Sequence, residues 1–89
     1  QQAETFPLAT AFPNPFRERF SLSLRAGWLP VQANALVYDA MGRPVLNQRL
    51  SAGFNTLDLS GHPAGVYTWR VEEQGRVLEV GKVVKIGNR

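Results

Sequence analysis

Leu57-Asp58-Leu59-Ser60-Gly61-His62-Pro63-Ala64-Gly65-Val66-Tyr67-Thr68-Trp69 is the stretch on which the fold turns. An alternating strand ends at Leu59, a loop of glycine and proline follows, and a second alternating strand opens at Val66. A tyrosine entering a strand just after such a loop has the pattern of a tyrosine corner, in which the hydroxyl returns to the loop backbone. That device belongs to two-sheet sandwiches. The spacing predicts a buried Tyr67 ring whose hydroxyl bonds backbone in the 59–64 region. Tyr67, Trp69 and Val71 share one strand face. Each large ring taken from water removes about 150–250 Å², so this strand is read as core.

Outward from there the period stays near two. Phe20, Leu22 and Leu24 alternate with Arg19, Ser21, Ser23 and Arg25, the pattern of a half-buried strand. Val31 to Asp39 is a second strand, with Ala33, Ala35 and Val37 inward. Met41-Gly42-Arg43-Pro44 punctuates it. Pro44 to Leu50 is an edge strand, because proline cannot donate to a ladder. Phe54 to Leu59 carries Leu57 and Leu59 inward. Gln74-Gly75 is a tight hairpin turn between Val66–Glu72 and a long last strand, Arg76 to Ile86, with a bulge expected at Gly81. No window has a helical period. Six or seven short strands at this spacing give an all-β sandwich or barrel, and the Tyr67 corner favours the sandwich. Residues 1–11 read as an entry linker, and the domain as residues 12–89.

Composition narrows the function. Eighty-nine residues with 44% hydrophobic content fit one folded domain. There is no cysteine, so burial alone holds the domain together. The net charge of +3 is spread over eight arginines and two lysines with no basic run, which argues against nucleic-acid binding. No apolar run approaches the ~20 residues of a membrane helix. Gln1-Gln2-Ala3-Glu4 lacks the charged and apolar regions of a secretory signal, so the chain is expected to be the C-terminal piece of a longer secreted protein.

Nothing in the chain assembles a catalytic site. His62 is the sole histidine, and with no cysteine the usual soft metal ligands are missing. Asp58, Ser60 and His62 lie two apart and enter one loop, whereas triad members converge from separate elements. Turn chemistry at Asp58 and Ser60 explains them better. The carboxylates show no pairing across a cleft of the kind glycoside hydrolysis needs. No glycine loop precedes a helix to cradle phosphate. No cofactor is expected. Trp28 in its turn, and Tyr38 opposite Val37, could form a sugar platform as in carbohydrate-binding modules. A cap on the core and a cover on the sheet are the simpler roles.

Four segments occur in a telling order: Pro13-Asn14-Pro15; Tyr38-Asp39 with Gly42-Arg43; Ala64-Gly65-Val66-Tyr67; and Gly81-Lys82-Val83-Val84-Lys85. Together they resemble the C-terminal sorting domain, type A, of the type IX secretion system of Bacteroidetes, the Por secretion system C-terminal domain family. The resemblance covers about residues 12–86. Trp69 is large for its strand, and Ile86-Gly87-Asn88-Arg89 runs past the usual final lysine.

The resemblance implies an immunoglobulin-like antiparallel sandwich of about seven strands. It implies a non-catalytic address for an upstream cargo domain, which is exported and then recognised by an outer-membrane translocon. It further implies that a cell-surface sortase removes the domain in or near residues 1–11 and that the cargo is attached to anionic lipopolysaccharide at the outer face. Gly81, Lys82, Val83, Val84 and Lys85 would carry the recognised signal. Pro13, Asn14, Pro15, Tyr38, Asp39, Gly42, Arg43, Gly65 and Tyr67 would be structural. Free edge groups of the last strand could take up a partner strand, although lysines on an edge also deter aggregation. The alternatives are a carbohydrate-binding module and a fibronectin-like adhesive or spacer domain.

Overall fold

The computed structural model describes residues 7–87. Seven strands are the regular elements among them: β1 (Ala9–Phe12), β2 (Arg19–Leu24), β3 (Ala33–Tyr38), β4 (Pro44–Arg49), β5 (Phe54–Asp58), β6 (Gly65–Glu73) and β7 (Arg76–Lys85). They form two antiparallel sheets in the orders β1-β2-β5 and β4-β3-β6-β7. This is the expected all-β, immunoglobulin-like sandwich of seven strands.

The alternation read from the sequence sets the core. Phe20, Leu22 and Leu24 of β2 and Leu57 of β5 come from one sheet. Ala33, Ala35 and Val37 of β3, and Tyr67, Trp69 and Val71 of β6, come from the other. β3 and β6 are neighbours in one sheet, where the small Ala33 and Ala35 stand beside the strand that carries the large Tyr67 and Trp69 rings on the same inner face. The Gln74-Gly75 hairpin is present, with φ of 51° and 86°. Both central residues at positive φ give the turn that matches strand twist. Pro44 starts β4 at a sheet edge, as expected.

Three features depart from the sequence reading. The linker expected through residue 11 gives way to strand at Ala9. Ala9–Phe12 pairs with Leu24–Ser21 of β2, and Ala9 is buried. Four residues with alanines at the inward positions carry too weak a period to announce a strand; β2 supplies the pairing that makes one. Residues 1–6 of that linker lie outside the described residues.

The bulge expected at Gly81 falls instead at Leu78. Val71 pairs with Glu79 and Glu72 with Val77, leaving Leu78 unopposed. Gly81 stays in register with Trp69. The indole lies across it: a Cβ on Gly81 would stand 2.4 Å from Cζ2 and 2.5 Å from Cε2 of Trp69. The glycine is there because the ring occupies the place of its side chain. This also accounts for a tryptophan being accommodated on β6.

The third departure concerns Lys85. It follows Gly81 and Val83 on the inward face of β7 and is 7% exposed. Its methylene stem therefore contributes to packing rather than decorating an edge. Lys82 and Val84 point the other way, outward.

The Tyr67 corner is formed. The ring is buried and its hydroxyl donates to the Pro63 carbonyl. The loop is closed further by His62 N–H donating to Leu59 O at 3.0 Å and by Leu59 N–H donating to Glu18 O at 2.8 Å. Burial, with the Asp39 charge nearby, pushes the Tyr67 phenol above its ordinary value.

Two predictions follow from this packing. Gly81→Ala must displace the Trp69 ring and should destabilise by about 1–3 kcal/mol, as overpacked cores do. Urea unfolding checks this, and the cost should shrink when Trp69 is first replaced by leucine. Tyr67→Phe should cost about 0.5–1.5 kcal/mol for the lost hydrogen bond. Its pH dependence has a definite sign. A phenol whose folded pKa is raised favours the fold fully below its ordinary value near 10, and this contribution is lost as pH rises through the folded value. Above pH ~10 the stability gap between wild type and Tyr67→Phe should therefore narrow.

Candidate functional site: the outer face of the four-stranded sheet

The residues singled out in the sequence fall into three settings. The first is the β3–β4 hairpin. Asp39 Oδ1 accepts from the N–H groups of Met41 and Arg43, both at 2.9 Å, and Oδ2 lies 3.0 Å from Arg43 Nε. Backbone bonds from Gly42 N–H to Asp39 O and from Asp39 N–H to Arg43 O, each 2.9 Å, complete the turn. Gly42 sits at φ +84°, a conformation that costs glycine nothing. Asp39, Gly42 and Arg43 thus form one closed turn that fixes Tyr38 just ahead of it. The Arg43 backbone N–H, its guanidinium and the Met41 N–H hold the Asp39 carboxyl below its ordinary value.

The second setting is the outer face of β4-β3-β6-β7. Tyr38 pairs with Thr68 and Thr68 with Lys82, so these three residues form one row across three strands. In the next row Leu36 pairs with Arg70 and Arg70 with Val80. Arg70 Nη2 donates to the Tyr38 hydroxyl at 2.8 Å, and its guanidinium carbon lies 4.8 Å from the ring centroid. Arg70 Nε stands 2.9 Å from Glu72 Oε2 but off the N–H direction, so that contact is an ion pair rather than a hydrogen bond. Tyr38, Asp39, Gly42, Val66, Arg70 and Lys82 help line an open concavity of about 530 Å³. Val66, Val80 and Val84 are exposed on this face. Among the described residues no carboxylate pairs with Lys82.

The third setting is the edge of β7. Sequence reasoning left it free for strand addition; residues 14–16 cover its last part. Asn14 Nδ2 donates to Lys82 O at 3.3 Å, and Val84 N–H donates to Asn14 Oδ1 at 2.9 Å. Phe16 N–H donates to Val84 O, and Ile86 N–H donates to Phe16 O, each at 2.9 Å. Pro13 and Pro15 bracket the contact. Phe16 is 1% exposed and packs on Phe20 with ring centroids 5.0 Å apart. Local sequence carries no signal for pairings some 70 residues apart, which is why this cover was missed.

The five residues of the terminal motif therefore do different work. Gly81 accommodates Trp69, and Val83 and Lys85 are buried, while Lys82 and Val84 face outward. Gly65 begins β6 opposite Lys85.

The residues weighed for chemistry are otherwise engaged. Asp58 Oδ1 accepts from Ser60 N–H at 2.8 Å. Bonds from the Ser60 hydroxyl and N–H, with Arg19 alongside, hold its carboxyl below the ordinary value. This is turn chemistry. Trp28 is half-buried against the core. Among the described residues no group of three metal-ligating side chains comes together, and no helix is long and apolar enough to cross a membrane.

The described residues form a seven-stranded immunoglobulin-like sandwich with a concavity on its outer face. The model of the secretion system C-terminal sorting domain family matches residues 10–86, and the chain belongs to that family. Its domains are C-terminal sorting signals of type IX secretion, a non-catalytic role that implies a cargo on the same chain and delivery to the cell surface or beyond. The match begins inside β1 and ends just past β7. No curated protein matches the sequence.

The Asp39 turn yields a prediction. A carboxylate with a lowered folded pKa supports the fold above its ordinary value of about 3.8, and that support is lost as pH falls through the folded value. Asp39→Ala should destabilise the hairpin at neutral pH. Asp39→Asn keeps an acceptor for the two N–H groups but should flatten the acid dependence of urea unfolding below pH ~4. An unchanged acid limb in Asp39→Asn would remove Asp39 from the account.

Proposed function

We propose that the secretion machinery reads this domain on the outer face of its four-stranded sheet, along the row Tyr38–Thr68–Lys82 and the valines beside it. The partners on this reading are the outer-membrane translocon and then the cell-surface sortase. The cargo ends at the outer face of the cell surface, and the domain itself carries no catalysis. The sorting domain takes in β1 as well as the residues after it.

One observation carries the reading. Motif residues far apart in sequence, Tyr38 with Asp39 and Gly42, and Lys82, line a single concavity. The lysine there lacks a carboxylate partner among the described residues, and exposed Val66 and Val80 lie beside it. An apolar floor with a charged group at its side suits a protein partner, where apolar burial gives affinity and charge gives orientation. The terminal motif acts through its two outward residues, Lys82 and Val84. Gly81, Val83 and Lys85 act by holding that strand in place.

The test fuses the domain behind a signal peptide and a reporter in a bacterium with this secretion system. Lys82→Glu should lower surface display about ten-fold, the effect of losing ~1.4 kcal/mol of docking free energy. The melting point should barely move, since exposed substitutions change stability within ~0.5 kcal/mol. Normal display of Lys82→Glu would take the face out of the signal. Lys85→Ala is a poor probe, because losing a buried side chain disturbs the fold and the signal together.

A further inference from the structure

The cover over the last strand does more than hide an edge. From Lys82 to Gly87 the edge of the chain away from β6 is held, among the described residues, by residues 14–17. Asn14 supplies one acceptor and one donor, Phe16 one of each, and Arg17 Nη1 donates to Gly87 O at 2.8 Å. Asn14 does with a side chain what a neighbouring strand does with its backbone. Its carboxamide offers a carbonyl to Val84 N–H and an N–H to Lys82 O. The flanking prolines lack backbone N–H groups, and each fixes its own φ and extends the residue before it. They present the carboxamide without offering competing donors.

We propose that Asn14 is a positioning residue for the sorting strand, a strand-mimicking latch that keeps Lys82 and Val84 in register so that both stay presented on the outer face. The latch connects the two motifs farthest apart in the sequence. Its link to export rests on the reading that this outer face is recognised; the latch itself does not.

Two measurements separate these claims. Amide hydrogen exchange is followed residue by residue in the wild type, Asn14→Ala and Asn14→Asp. In Asn14→Ala the Val84 amide should exchange about three- to ten-fold faster, as expected for loss of its hydrogen bond. Ile86 should follow, while Leu22 and Val37 in the core stay unchanged. Asn14→Asp keeps an acceptor for Val84 N–H but cannot donate to Lys82 O, so it should restore much of the Val84 protection. Uniform acceleration across the domain, or equal exchange at Val84 in the two variants, would overturn the latch. Reporter display is then measured. Asn14→Ala should lower display while the core amides remain protected, and Asn14→Asp should recover part of it. Selective loosening of Val84 with full display would overturn the positioning role. Failure of the recognised-face reading is seen separately, as normal display of Lys82→Glu with the latch intact.

Discussion

The tie from the Tyr67 hydroxyl to the Pro63 carbonyl is the constraint on which the sandwich depends. The chain leaves the three-stranded sheet at the end of β5 and enters the four-stranded sheet at β6 through this one loop. Fixing Tyr67 fixes where β6 begins, and with it which side chains of that strand turn inward. A slip of one residue would send Tyr67, Trp69 and Val71 to solvent and bury Thr68 and Arg70. Because β6 is the central partner of both β3 and β7, its register sets theirs. The rows that build the outer face, Tyr38–Thr68–Lys82 among them, follow from that register, which the burial of Tyr67, Trp69 and Val71 and the Gln74-Gly75 turn hold together with the corner.

Most of the fold was legible because its signals are local. Alternation in β2, β3 and β6 named the inward residues, and the Gln74-Gly75 and Met41–Pro44 turns marked the hairpins. The Tyr67 corner could be placed from eleven residues of sequence, Leu57 to Tyr67. What escaped was set at long range or masked by residue type. β1 has too little period to stand without β2. The bulge was placed at the glycine of β7, yet Gly81 answers to Trp69 across the ladder and Leu78 takes the extra position. Lys85 read as a surface residue because it is a lysine, although its parity with Val83 already put it on the inner face.

The candidate site was legible in part. The motif residues were named from sequence, but a linear motif hides the fact that successive residues face opposite ways. Gly81-Lys82-Val83-Val84-Lys85 reads as one block and acts as two sets, one packed and one presented. Asp39, Gly42 and Arg43 are likewise scaffolding: their bonds are spent on each other, and Tyr38 is the residue they deliver to the surface. Neither Arg70, which holds the Tyr38 ring, nor Val80, which lines the same concavity, belonged to any motif read in the sequence, and Val66 stood only at the unspecified position between Gly65 and Tyr67.

The contact between residues 14–17 and the end of β7 also bears on the order in which the molecule can take shape. Its bonds span 68 to 70 positions in a chain of 89 residues, and a separate one from Leu8 N–H to Glu79 Oε1 spans 71. Hairpins such as β6–β7 can close early, since they join neighbours along the chain. This flank of the sandwich is sealed only when the beginning and the end of the domain meet, and loops of that span close at a substantial entropic cost. A chain threaded through a pore from either end therefore passes through a stage in which six strands' worth of sequence has emerged and the flank is still open. The seal forms only when residues 14–17 and residues 82–87 are both present.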